Sequence, residues 1–254
     1  LGNDGMYGSL FSMLRMIRKQ DADHTRIREW QRGCLKDSTG AVLIDASTEQ
    51  YTKSTGREIV RTANAAGCRF VGRPLVEGTG SLKNYLVQAK NRNCSLEEAY
   101  FYAAQELVDR LMNPEPCRGK NQILCVHSCD PSTSNTFWLW NQVKEKLPPE
   151  IEVQEISLRD EPIMDCAGCS YETCMYFSQN MACFYGGEMV DEVYPALDSC
   201  KALMLLCPNY NDALGANLTA FINRLTAPFR RKPFKDKQLF SLIVSGYSGS
   251  DIIE

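Results

Sequence analysis

Ser128-Cys129-Asp130-Pro131-Ser132-Thr133-Ser134-Asn135-Thr136 joins two segments of opposite periodicity. Before it, Gln122–His127 is a short apolar run that reads as a strand. After it, Thr136–Leu147 carries Phe137, Trp140, Val143 and Leu147 on one helical stripe, closed by Pro148-Pro149. Hydroxyls, the Asn135 amide and the N–H groups of a helix N-terminus suit an anion, and the helix dipole favours one there. The carboxyl end of a parallel strand is also where such sites form. The same residues suit a capped, solvated turn equally well, and both readings stand at this point. The loop has neither the Gly-x-Gly-x-x-Gly of a dinucleotide site nor the Lys of a P-loop, which favours a monophosphate.

Outward from this loop the alternation of strand and helix continues. Ile151–Ile156 alternates like a strand, Met189–Leu197 reads as a short helix and Ala202–Cys207 as a buried strand. Asn217–Leu225 is an apolar-striped helix and Phe240–Val244 a further strand. Such spacing predicts a parallel sheet with helices on both faces. Toward the N-terminus, Met6–Ile17 is amphipathic, Ala41–Ile44 reads as a strand, and Arg57–Ala66 as a helix ended by Gly67. Cys68–Val71 is a short extended run, and Ser95–Leu111 is a helix with a Ser95/Glu98 capping box. Asn113–Lys120 holds two prolines, a glycine and three charges. The expected organisation is therefore an α/β unit over residues 1–113, a linker over 114–120, and a second α/β domain over 121–254.

Shifting the chain by 208 residues lays Leu10 on Leu218, Leu14 on Ile222 and Ile17 on Leu225. A shift of 200 lays Leu43-Ile44-Asp45 on Ile243-Val244-Ser245. The apolar positions match in kind, so the N-terminal segment reads as the rear half of a related unit. The chain starts at Leu1 and stops soon after a strand, which suggests a fragment at both ends.

Bulk composition narrows the function classes. Apolar residues make up 44% and charged residues 23% of the 254, as in an ordinary globular protein. A net charge of −3 gives no electrostatic case for nucleic acid. No apolar run approaches the roughly 18 residues that span a bilayer. Twelve cysteines are many, but a chain of this length and pattern needs no disulfide staples, so a reducing compartment, the cytoplasm, is expected. Cys34, Cys68, Cys94 and Cys200 read as buried small apolar residues. His24 and His127 are too isolated to suggest a metal.

The 128–136 loop, together with Cys207-Pro208-Asn209-Tyr210-Asn211-Asp212-Ala213-Leu214-Gly215-Ala216-Asn217-Leu218-Thr219-Ala220-Phe221-Ile222-Asn223-Arg224, resembles the NADPH-dependent FMN reductase and iron–sulfur flavoprotein group of the flavodoxin-like superfamily. That group has a Gly-Ser-Pro-Arg-x-x-Ser-Asn-Thr-like loop after its first strand, where this chain has His127 in place of the glycine. It has a Pro-x-Tyr loop after the fourth strand and a helix ending near Phe-Ile-Asp-Arg, where this chain has Asn223 in place of Asp. The resemblance covers about residues 121–254. It implies a flavodoxin-like three-layer α/β fold with a parallel sheet of order 2-1-3-4-5. It also implies FMN, with Ser128, Ser134, Asn135 and Thr136 at the phosphate. Pro208, Asn209, Tyr210 and Asn211 would then lie at the ring, with Ser245, Gly246, Tyr247 and Gly249 in a second flavin loop. Residues 67–80 resemble the tail of a second such unit, with no phosphate loop and hence no cofactor.

Cys166-x2-Cys169-x4-Cys174-x8-Cys183 places four thiols in one segment. Four soft ligands can hold a 4Fe–4S cluster or tetrahedral zinc, and unligated thiols are the third reading. The iron–sulfur flavoproteins carry a compact four-cysteine motif at this place, with tighter spacing than here. The expected function is an FMN-dependent NAD(P)H oxidoreductase with a nicotinamide donor and an acceptor that is a ferredoxin-like protein or another species. Such proteins are often homo-oligomers. A non-catalytic FMN electron carrier and a degenerate interaction module are the alternatives.

Overall fold

The computed structural model describes residues 35–160 and 163–246, in two compact units that divide between Glu115 and Pro116. The amphipathic segment Met6–Ile17, Cys34, His24, Tyr247 and Gly249 lie outside the described residues.

In the N-terminal unit, β1 (Thr39–Asp45) and β2 (Arg69–Gly78) pair in parallel, with α1 (Thr52–Ala65) between them in the chain. Helix α1 starts five residues earlier than its apolar pattern suggests. Its first two turns turn small residues inward: Thr52, Thr55 and Gly56 are buried. A Cβ on Gly56 would come within 2.5 Å of the Leu75 side chain, so glycine lets that side chain sit close against the helix. Gly67 ends the helix in the left-handed conformation, φ 98°, while Cys68 N–H donates back to Ala63 O. Strand β2 runs seven residues beyond the predicted Cys68–Val71. Pro74 within it lacks an N–H, which hides such a strand from pattern reading. A short helix α2 (Leu86–Arg92) precedes α3 (Leu96–Met112). The capping box of α3 is formed: Glu98 N–H donates to Ser95 Oγ at 3.1 Å and Ser95 N–H to Glu98 Oε2 at 2.8 Å.

The C-terminal unit is a wholly parallel sheet. Its strands are β3 (Lys120–His127), β4 (Glu152–Ser157), β5 (Cys200–Pro208) and β6 (Gln238–Val244), in the order β4-β3-β5-β6. Numbered within the unit this is 2-1-3-4, the first four places of the expected order; a fifth strand is not among the described residues. Alternation along β3 and β5 sorts their side chains into two cores. Leu124, Val126, Leu203, Leu205 and Cys207 pack with Met189, Val193, Tyr194 and Leu197, and with Leu218 and Phe221 of α7 (Ala216–Arg224). Cys125 and Leu206 pack on the other side with Trp140 of α4 (Asn135–Lys144), joined by Phe137, Val143 and Leu147. Two cores on opposite faces of one sheet make the three layers.

Between β4 and β5 lie α5 (Tyr171–Ser178), a π-helical turn at Met189–Val193 and α6 (Tyr194–Ser199); α8 (Thr226–Arg231) follows α7. Parallel register brings His127 level with Ser157 and Leu206, and Pro208 level with Val244. The carboxyl ends of all four strands therefore share one edge. At the opposite edge, Lys237 Nζ donates to the carbonyls of Arg118, Asp198 and Cys200. Gly119, φ 121°, takes the left-handed turn there; a Cβ would stand 2.4 Å from Ser199 O.

Candidate flavin site

The 128–136 loop is built around Asp130. Its Oδ1 accepts the Ser132 N–H at 2.9 Å and the Ser132 hydroxyl at 2.6 Å, and its carbonyl accepts the Ser134 N–H at 2.9 Å. This is an Asx turn closed by the aspartate's own side chain. Ser132, followed by Arg159, holds the Asp130 carboxyl below the usual carboxylate range. Ser134 is the N-cap of α4, with Phe137 N–H donating to its Oγ at 3.2 Å. A hydroxyl that accepts one bond still has a proton to donate. The N–H groups of Asn135 and Thr136 open the helix, where no intrahelical acceptor exists. Thr136 is buried beneath the loop. His127 is buried beside Phe137, with ring centroids 4.9 Å apart, and Nδ1 has no partner. Burial pushes its pKa down, leaving it neutral.

The second loop follows β5, the third strand of this unit in chain order and not the fourth that the resemblance implied. Tyr210 and Ala213 exchange backbone hydrogen bonds across a two-residue turn, with Asn211 and Asp212 both left-handed at φ 54° and 58°. Asn and Asp tolerate that conformation, so their presence here has a backbone reason. Asn209 is held by its N–H on Val244 O and by Nδ2 on Ser245 Oγ at 2.8 Å and Asp212 Oδ1 at 3.3 Å. Its Oδ1 is buried with no partner.

These loops meet at a cavity of about 290 Å³ on the carboxyl edge of the sheet. Ser134, Asn135 and Thr136 line one part, Pro208, Asn209 and Tyr210 another, with Val244 and Gly246 between strand and loop. Seven of the residues named from the resemblance thus come together. Ser128 and Asn211 do not line the cavity: Ser128 Oγ lies by Gly215, and Asn211 serves the turn. Ser245 acts behind Asn209. Asp130, Thr133 and Arg159 also line it and were not anticipated. Arg159 follows Leu158 in a charged run that reads as solvated loop, and only the fold brings it within 3.1 Å of Asp130.

The donor set fits FMN on two grounds. Uncharged hydroxyl and N–H donors at a helix start suit a phosphate. A buried, unpartnered acceptor on Asn209 suits a ring that carries N–H donors, because an acceptor left unpaired is costly. A larger cavity, about 570 Å³, lies in the N-terminal unit among Arg73, Glu77, Arg92, Glu106 and Arg110. Its cations are already engaged: Arg92 pairs with Glu106, and Arg110 donates to the carbonyls of Gly72 and Arg73.

The arrangement of the four cysteines gives the cluster expectation no support. Cys166 is exposed, while Cys169, Cys174 and Cys183 are half-buried. Among the described residues no three His, Cys, Asp or Glu side chains form a metal-binding group. The segment folds on other contacts. Cys174 is carried on α5, and the rings of Tyr176, Phe177, Phe184 and Tyr185 meet edge to face in succession at 5.3, 5.7 and 5.3 Å. The Tyr185 hydroxyl stands 3.9 Å from Cys169 Sγ. Cys68 and Cys200 are buried as expected; Cys94 is only half-buried.

Among the described residues no helix is long and apolar enough to cross a membrane. Comparison with curated proteins finds no match. The family model for NADPH-dependent FMN reductase matches residues 122–253, the four-stranded sheet but for the first two residues of β3. Since that match takes in more than half of the 254 residues, the chain belongs to the NADPH-dependent FMN reductase family, a family of flavin oxidoreductases.

Proposed function

We propose that the cavity on the carboxyl edge of the β4-β3-β5-β6 sheet binds FMN, and that the chain takes electrons from NADPH or NADH for delivery to an acceptor. The observation that carries this reading is the convergence of two loops over 70 residues apart on one cavity. One loop offers phosphate donors and the other an unpartnered buried acceptor. When bound, FMN supplies the hydride-accepting and electron-donating chemistry; the protein supplies position and electronics.

Each residue has a defined task. Ser134, Asn135 and Thr136 take the phosphate with neutral donors. Ser245 holds the Asn209 amide, which offers Oδ1 to a ring N–H. Pro208 and Tyr210 wall the ring; Tyr210 is 56% exposed, leaving an aromatic surface where a nicotinamide can approach. Tyr247 and Gly249 belong to the same proposal through the resemblance. A cytoplasmic homo-oligomer passing electrons to a ferredoxin-like acceptor is the fuller form of this reading. With no metal-binding group among the described residues, no step is derived through a 4Fe–4S cluster.

The test is NADPH and NADH oxidation by the chain with and without added FMN. FMN-dependent oxidation supports the reading. A chain that binds FMN but oxidises neither nicotinamide is a carrier instead. Iron analysis of anaerobically purified protein tests the cluster: about four irons per chain would restore it.

A further inference from the structure

A carboxylate is out of place in a phosphate site, yet Asp130 lines this cavity. A phosphate monoester carries about −1.5 to −2 charges near neutrality, and a nearby Asp repels it. The loop cannot turn the carboxylate away, because Asp130 Oδ1 is fixed by both donors of Ser132. Its other oxygen, Oδ2, faces Arg159 Nη2 at 3.1 Å. Arg159 is the one cation among the described residues that line the cavity. A guanidinium has five donors in a fixed fork, and Asp130 occupies part of that fork. The Arg159 side chain is 51% exposed. The Asx turn accounts for the fixed carboxylate, but an ion pair so exposed contributes little to folding, so stability does not account for the arginine beside it at the mouth of a phosphate loop.

We propose that Arg159 is the counter-charge that selects a phosphorylated flavin in this cavity, and that Asp130 is a positioning residue that aims its guanidinium. The proposal rests on the FMN reading above. It gives a cation to a loop whose other donors are neutral, and it explains an aspartate that would otherwise oppose the ligand.

The test is titration of the whole chain with FMN and with riboflavin, which lacks the phosphate. Wild type is compared with Arg159→Gln and with the double variant Arg159→Gln/Asp130→Asn. Loss of one charge-assisted hydrogen bond predicts a roughly 10-fold fall in FMN affinity for Arg159→Gln. Riboflavin affinity should stay within about 2-fold, which also reports that the variant is folded. In Arg159→Gln the bare carboxylate faces the phosphate, so adding Asp130→Asn regains part of the lost FMN affinity. Wild-type FMN affinity should fall with salt more steeply than that of Arg159→Gln. Equal losses for both flavins, an unchanged FMN affinity, no recovery in the double variant, or a change confined to NADPH over NADH discrimination would each overturn the proposal. Wild type binding riboflavin as tightly as FMN overturns it too while leaving the flavin reading intact. Wild type binding neither flavin removes the FMN reading itself.

Discussion

Asn209→Ala separates ligand binding from folding. In the free protein the Asn209 side chain donates two hydrogen bonds from Nδ2, to Ser245 Oγ at 2.8 Å and to Asp212 Oδ1 at 3.3 Å, while Oδ1 is buried and unpaired. Losing both bonds costs about 1–3 kcal/mol, and removing an unpaired buried acceptor returns about 1–3 kcal/mol. The two nearly cancel, so unfolding of the free variant should move by no more than about 1 kcal/mol. With FMN the balance differs. If Oδ1 receives a ring N–H, truncation leaves that donor unpaired, at about 1–3 kcal/mol. That corresponds to roughly a 5- to 150-fold weaker complex. Urea unfolding without ligand and FMN titration by fluorescence quenching measure the two numbers. An Asn209→Ala protein of wild-type stability that binds FMN as tightly as wild type would show that Oδ1 does not meet the ring. A variant strongly destabilised without ligand would show Asn209 to be a structural residue instead.

Trp140→Ala removes a fully buried indole from the core beneath the loop and leaves Glu155, which accepts the indole N–H at 2.7 Å, with Lys144 alone; urea unfolding should show a loss of about 3–5 kcal/mol. Ser95→Ala dismantles the capping box of α3 and should cost about 1 kcal/mol, read from thermal unfolding. His127 is held neutral by burial, with a folded pKa below its ordinary 6.5. The unfolded chain therefore binds the extra proton first: stability is full above about pH 6.5 and declines as pH falls toward the folded pKa. His127→Gln should lose that part of the slope, measured as unfolding midpoints from neutral pH downward.

Much of the C-terminal unit was legible because its two central strands, β3 and β5, are buried on both faces, so Leu124–Val126 and Leu203–Cys207 stand out as apolar runs. The stripe of Phe137, Trp140, Val143 and Leu147 was legible for the complementary reason, a helix with one wet face. Ser95 with Glu98 and Gly67 after α1 act through local backbone chemistry and need no tertiary context. What escaped depends on such context. Helix α5 has a Ser170 N-cap, but its aromatic residues sit all round it and the four cysteines invite a metal reading. Arg159 becomes a site residue only when β4 places it opposite Asp130. Asn211 occurs in the right motif, but the left-handed turn is reason enough for it.

FMN binding by this cavity is best tested by the visible absorption spectrum of the purified chain after incubation with FMN and removal of free ligand. Flavin absorbance at about 450 nm should be retained with one FMN per chain, and much reduced in a Ser134→Ala/Thr136→Val variant that remains folded. A folded wild-type chain that emerges colourless would contradict FMN binding.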